Sequence, residues 1–334
     1  AFVRVPVDPH DPAALSHGWV QAIFEDRAGT LWVGTLGGGL ARLDRATGRF
    51  IGTRADPRNP RALPSDRIMA ITEDHEGRLW IATDGGGLAR LDADRGRFAT
   101  YRHASADPRS LSADRVFSVF EDRSHVLWIG TYGGGLSKLD LGRKAFTTIR
   151  HDPGDPGSLS HDIVWSMHED ETGALWVGTD SGGLDRIDRA TGAIRHYRHD
   201  PLDPASLAHD TVRVVYQDRR HNLWVATHGG GLDRLDRATG RFDHHRHDPA
   251  NPDSLAHDEL RAVYEDRRGN LWIGTYGRGL DRLDRDSGRF AHHRNDPSDP
   301  GSLPNDFVRV VFEDSRGELW VGTQGGGLAR LDRD

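Results

Sequence analysis

Residues 79–92 read LWIATDGGGLARLD, and this stretch decides the fold. It holds two β-rich runs, Leu79–Thr83 and Leu88–Asp92, joined by three glycines. A third run, Ile68–Thr72, precedes it and ends at the turn Asp74-His75-Glu76-Gly77. A fourth, Phe98–Tyr101, follows the turn Asp94-Arg95-Gly96. Runs of about five residues rich in β-branched and aromatic side chains, bounded by Gly and Asp, predict strands. No segment free of these breakers is long enough to show a 3.6-residue helical period.

The Leu-Trp pair then recurs at Trp32, Trp80, Trp128, Trp176, Trp224, Trp272 and Trp320, each 48 residues after the last. Seven such units account for the whole chain of 334 residues. Four antiparallel strands per unit, repeated seven times, predict an all-β, seven-bladed β-propeller spanning residues 1–334 as one domain. The ends predict a closed ring. Phe2 falls where Phe50 falls in its own unit, on the fourth strand, whereas the C-terminus stops after a third strand. Residues 2–6 are therefore expected to supply the outer strand of the blade formed by about 307–333, which removes a free sheet edge.

Composition excludes several functions. The formal net charge of −7 offers no general field for nucleic acid or an anionic membrane. The absence of cysteine removes disulfides and thiolate chemistry. No apolar run approaches the roughly 20 residues of a membrane helix, and no signal peptide is expected in these residues. With Ala1 in place of Met, the expectation is a processed or excised piece that is monomeric in isolation.

The pattern Leu159, Asp162, Glu169-Asp170, Gly173 and Leu175-Trp176-Val177-Gly178-Thr179, repeated in all seven units, resembles the two-component regulator propeller repeat. The resemblance implies an extracytoplasmic, periplasmic sensor region of a bacterial membrane receptor whose output part is a histidine kinase or diguanylate cyclase. It also implies a glycan as one class of ligand. An engineered or reconstructed repeat scaffold without a ligand is the alternative.

Most motifs have a structural reading. The tryptophans and the small residue two positions on, such as Gly34 and Ala82, predict packing between blades. The glycine triplets precede strands rather than helices, so they are turns and not a phosphate loop. The Asp-Pro segments, such as His199-Asp200-Pro201-Leu202-Asp203-Pro204, lack calcium-loop spacing and predict turns. Asp162 and its equivalents, with His161, His209, His257 and His17 beside them, predict a network tying that loop to its blade. His244, His245 and His247 are expected to be solvated on an outer strand. No metal, no cofactor and no catalytic residue is expected; a polysaccharide lyase would need a positioned base, and none is marked.

Function is expected where the units disagree. Arg213, Arg261 and Arg309 fall at one position of three successive units, and Arg278 replaces a loop glycine in the middle one. Trp19, Trp165 and Phe307 vary beside the first strand, and Tyr132, His228 and Tyr276 vary just before the glycines. Both sets are predicted to line one mouth of the channel. Arginine suits carboxylate or phosphate because its fork donates two parallel hydrogen bonds, and the aromatic rings suit a sugar. The expected ligand is a glycan or small acidic molecule, bound without catalysis.

Overall fold

The computed structural model describes residues 1–92, 96–141 and 145–332. They form seven four-stranded antiparallel sheets, and the described residues contain no helix. In the second blade the strands are Ile68–Glu73, Leu79–Thr83, Gly87–Leu91 and Phe98–Tyr101, within a residue of the expectation at each end. The expected turn at Asp94-Arg95 lies outside the described residues. All seven second strands are buried along their whole length, because blades cover both faces.

The last blade is built from Val308–Glu313, Leu319–Thr323, Leu328–Leu331 and the N-terminal strand Phe2–Arg4. Phe2 pairs with Leu331 and Arg4 with Ala329, and the Val5 N–H donates to the Leu328 carbonyl at 2.8 Å. The ring is closed as expected, with a three-residue strand.

The core consists of seven clusters, one at each seam. Trp32 of the first blade packs against Leu63, Ile68, Leu79, Ile81 and Phe98 of the second, and the pattern repeats around the ring. Gly34 must be small, since a Cβ there would lie 2.5 Å from Ile68 Cγ2 of the next blade. Each tryptophan is also bolted in place. Its indole N–H donates to the aspartate six residues earlier, from Asp26 to Asp314, at 2.7–3.0 Å in all seven blades.

The Asp162 series ties loop to blade: each carboxylate accepts a backbone N–H eleven residues upstream, as Asp162 does from His151 at 2.8 Å. The histidine before it accepts at Nδ1 from the N–H two residues on, in His17, His161, His209 and His257. These rings close turns. Asp200 and Asp203 likewise accept the N–H groups of Leu202 and Ala205, as turn formers do. The expectation of solvated outer-strand histidines is corrected for two of the three. His244 bridges buried Asp233 and the Pro204 carbonyl, and His245 packs on Trp224 and Phe290, so both are half-buried between strands. His247 is exposed, just past the strand Arg241–His245, and meets the Leu255 carbonyl.

Candidate functional site at the channel mouth

Every first strand contains the same irregularity. Its register against the second strand shifts after the first residue and skips one, and the skipped residue is Gln21, Met69, Phe117, Trp165, Arg213, Arg261 or Arg309. A bulge re-aims the side chain it leaves unpaired. The seven units therefore share a device for presenting one variable residue each.

A second variable residue meets it from the neighbouring blade. Isolated bridges join Tyr132 to Ile163, His228 to Glu259, Tyr276 to Phe307 and Gln324 to Trp19. The residue before the glycines thus lies beside the start of the next blade's first strand, and the two sets predicted from sequence converge on one face.

The arc from the third blade to the first is a continuous band of rings and guanidinium groups. Phe117 stacks on Trp165 with centroids 4.7 Å apart, and exposed Tyr132 meets both edge-on. Arg213 lies over Trp165 at 3.8 Å. Arg261 and Arg309 lie 5.0 and 5.7 Å from the Tyr276 ring, which packs against Phe307 at 4.7 Å, and Arg309 also faces Trp19 at 5.4 Å. Such contacts hold a guanidinium in place while leaving its N–H edge free to donate.

The three arginines feel one another. Burial, and then the neighbouring Arg261 charge, push Arg213 and Arg309 down to about 10. Both stay charged at neutral pH. Their acidic partners are few. Arg261 donates to Glu259, Arg309 donates to the neutral Gln324 amide oxygen at 2.6 and 3.1 Å, and Arg213 lies 3.9 Å from Asp180. Asp180 already accepts from the Trp165 indole at 3.1 Å. His228 stands 3.1 Å from Glu259, yet burial followed by Arg213 and Arg261 holds its imidazole below the usual histidine range.

The decisive feature is what stays unpartnered. Arg213 Nε and Nη1, Arg261 Nε and Trp19 Nε1 are buried donors with no acceptor among the described residues. Buried donors are ordinarily paired, because leaving one unmade costs its desolvation. Here four of them sit on one arc.

Arg278 does not join the arc. It is exposed, and among the described residues no hydrogen bond, ion pair or ring contact links its side chain to the other three. At the equivalent Gly230 a Cβ would point at the loop before the first strand, 2.8 Å from Ala208 Cβ. Sequence reasoning placed Phe117, Asp180 and Gln324 among the variable positions but did not choose them as ligand contacts, and the structure brings all three into the arc. A groove of about 960 Å³ lies between the third and fourth blades, lined by Trp128, Ile149 and Arg189. Arg189 there is already paired with Asp122 and Glu169.

A family profile described as the two-component regulator propeller matches seven segments, residues 14–37, 62–85, 110–133, 158–181, 206–229, 254–277 and 302–325, together half of the chain. The chain belongs to the two-component regulator propeller family. Each matched segment of this family repeat runs from just before the first strand to the glycine loop, so it contains both variable positions of the mouth. No curated protein matches the chain by sequence. Among solved structures, the propeller is similar to the extracellular domain of the putative hybrid two-component system BT3049 from B. thetaiotaomicron, at 26% identity and a TM-score of 0.80. The match covers 96% of this chain and 40% of that one, so the propeller spans well under half of that extracellular domain. BT4673 from the same organism, a putative one-component system, matches at 23% identity and a TM-score of 0.51 over 94% of this chain and 46% of that one. Virginiamycin B lyase from Staphylococcus aureus shares the fold, at 11% identity and a TM-score of 0.68 over 99% and 97% of the two chains. The fold therefore serves both sensor systems and enzymes. No helix among the described residues is long and apolar enough to cross a membrane.

Proposed function

We propose that this propeller is the ligand-binding part of a bacterial sensor system, working outside the cytoplasm, and that it takes an acidic glycan or a small acidic molecule at the channel mouth without chemical turnover. The observation that carries this reading is the arc of four unpartnered buried donors on Trp19, Arg213 and Arg261. A ligand carboxylate would satisfy the arginines in a desolvated setting, where charge-assisted hydrogen bonds are strongest. Trp19 and Phe307 offer ring surface on which a sugar would lie, Tyr132 is open at the edge, and Trp165, with its faces taken by Phe117 and Arg213, backs the arginine. Membership of a two-component regulator family and likeness to an extracellular domain of a two-component system support a sensing role. Catalysis is left out because the four histidines before the first strands spend Nδ1 on backbone N–H groups.

The test is a thermal-shift screen of uronic-acid and neutral oligosaccharides, followed by calorimetry on any hit. An acidic sugar should raise Tm and its neutral counterpart should not. Replacing Arg213, Arg261 and Arg309 together by Ala should weaken the hit at least a hundredfold, on the order of 3 kcal/mol for lost charged hydrogen bonds, while unfolding stays cooperative. Undiminished binding by the triple variant, or release of a cleaved product, would overturn the proposal.

A further inference from the structure

The opposite ends of the first strands carry their own seam contact, and two of the seven depart from the rest. Each first strand ends in an acid or amide: Glu25, Glu73, Glu121, Glu169, Gln217, Glu265 or Glu313. At five seams this carboxylate accepts the backbone N–H of a turn residue in the preceding blade, as Glu73 does from Arg27 at 2.8 Å and Glu169 from Arg123 at 2.7 Å. In three blades an arginine after the third strand also pairs with it: Arg45 with Glu25, Arg189 with Glu169 and Arg285 with Glu265.

Between the second and third blades every part of that arrangement changes. The turn residue is His75 rather than arginine, and the arginine after the third strand is replaced by Leu141. The turn glycine of the third blade is replaced by His125, which keeps φ at +62° where Gly29, Gly77, Gly173, Gly269 and Gly317 have +76° to +87°. An L residue adopts that conformation at a cost. Both histidines converge on Glu121, with His75 Nδ1 at 2.6 Å and His125 Nδ1 at 3.9 Å from Oε1. Their rings lie 4.0 Å apart, and the three groups can bring ligand atoms within 4.8 Å of one another. Among the described residues Glu121 pairs with no arginine or lysine.

We propose that His75, Glu121 and His125 form a site for a borderline divalent transition metal, zinc being the expected occupant, that clamps the second blade to the third. Two imidazoles and one carboxylate suit zinc and its neighbours rather than calcium or magnesium, which prefer oxygen sets. Metal–ligand bonds of about 2.0–2.2 Å put tetrahedral ligand atoms roughly 3.3 Å apart. The 2.6 Å contact then opens and the 3.9 Å contact closes, each by about 0.6–0.7 Å, which side-chain rotation provides. The positions left open would go to water. The ring supplies its own comparison: the same three positions between the fourth and fifth blades hold Glu171, Gln217 and His221. There Arg237 and the Gln217 amide already occupy Glu171, so that seam offers no free carboxylate.

The test uses the whole propeller, stripped with a chelator and dialysed. Zinc titrated in calorimetry should bind at one tight equivalent and raise Tm, and calcium should do neither. Cobalt should bind in its place and give the visible absorption of a low-coordinate ion. The double variant His75→Arg, His125→Gly restores the residues the other blades use, so it should fold at least as well; it should lose zinc affinity tenfold or more and lose the zinc-dependent Tm shift. His221→Gly should leave both unchanged. A parent without a tight equivalent, or a double variant that binds as the parent does, would overturn the proposal.

Discussion

A single aspartate does two jobs in every blade, and in four of the described blades it does a third. Asp218 accepts the Trp224 indole at Oδ2, closes its own turn by accepting the Arg220 and Asn222 N–H groups at Oδ1, and meets Arg285 of the next blade at 2.8 Å. Its side chain is fully buried, and Arg285 is only 7% exposed. Burial alone would raise this carboxyl, but the indole, the Asn222 contacts and the Arg285 charge hold it below the usual range. Arg45, Arg189 and Arg237 reach back to Asp314, Asp122 and Asp170 in the same way, so the blade bolt is also a seam bolt. Asp218→Asn keeps the shape and removes the charge. It should cost about 3 kcal/mol, as breaking one side of a buried pair does, measured by urea unfolding at pH 7. A change below about 0.5 kcal/mol, the range of an unimportant surface site, would mean that packing alone holds the seam.

At the scale of the element, the short N-terminal strand carries more than its three residues suggest. Phe2 is buried with Leu303, Leu319 and Ala329, and Arg4 reaches the Ser302 hydroxyl at 3.1 Å. Deleting residues 1–7 would strip the last blade of its outer strand, bare the edge from Leu328 to Leu331 and open a hole in that seam. Stability should fall by several kcal/mol, a large part of the roughly 5–15 that holds a domain together. Moving the same segment to the C-terminus through a flexible linker should restore it. Equal denaturation midpoints for the deleted and intact chains would show that the ring does not depend on this strand. The bulges work in the opposite direction: each gives up one ladder position in a first strand to aim a variable side chain at the mouth.

In the whole molecule, the 48-residue step made the fold legible, because a strict repeat leaves few architectures and its split end implies closure. The mouth was legible only as positions. Variation between units pointed to Arg213, Arg261 and Arg309, but the stack of Phe117 on Trp165 and the Gln324 acceptor for Arg309 depend on a bulge and a seam. Arg278 stays outside the arc because, among the described residues, its exposed side chain makes none of the arc's hydrogen bonds or ring contacts, although Tyr276 of the same loop belongs to it. His75 and His125 sit in two different blades, and nothing in either unit alone joins them. The same seams govern the response of the ring to acid. His245 and His293 occupy the outer-strand position where Tyr101 and Tyr197 stand, and pack on Trp224 and Trp272 at 5.7 and 5.5 Å as those tyrosines pack on Trp80 and Trp176. Burial holds both imidazoles, and that of His168, below the usual range. A base with a lowered folded value is fully stabilising above its unfolded value and loses ground as pH falls below it. Asp74, Asp122, Asp170, Asp218 and Asp314 are lowered too, and as acids they keep their contribution until pH drops under the ordinary carboxylate range. Melting temperature should therefore be highest near and above pH 7, decline first below about 6.5 as the unfolded histidines take up protons, and fall again below about 4. The double variant His245→Tyr, His293→Tyr copies the neighbouring blades and removes two of these groups. It should match the parent near pH 7.5 and gain on it steadily down to pH 5, with the second decline unchanged. Parallel curves for the two proteins between pH 7.5 and 5 would mean that these rings are protonated inside the fold as readily as outside it.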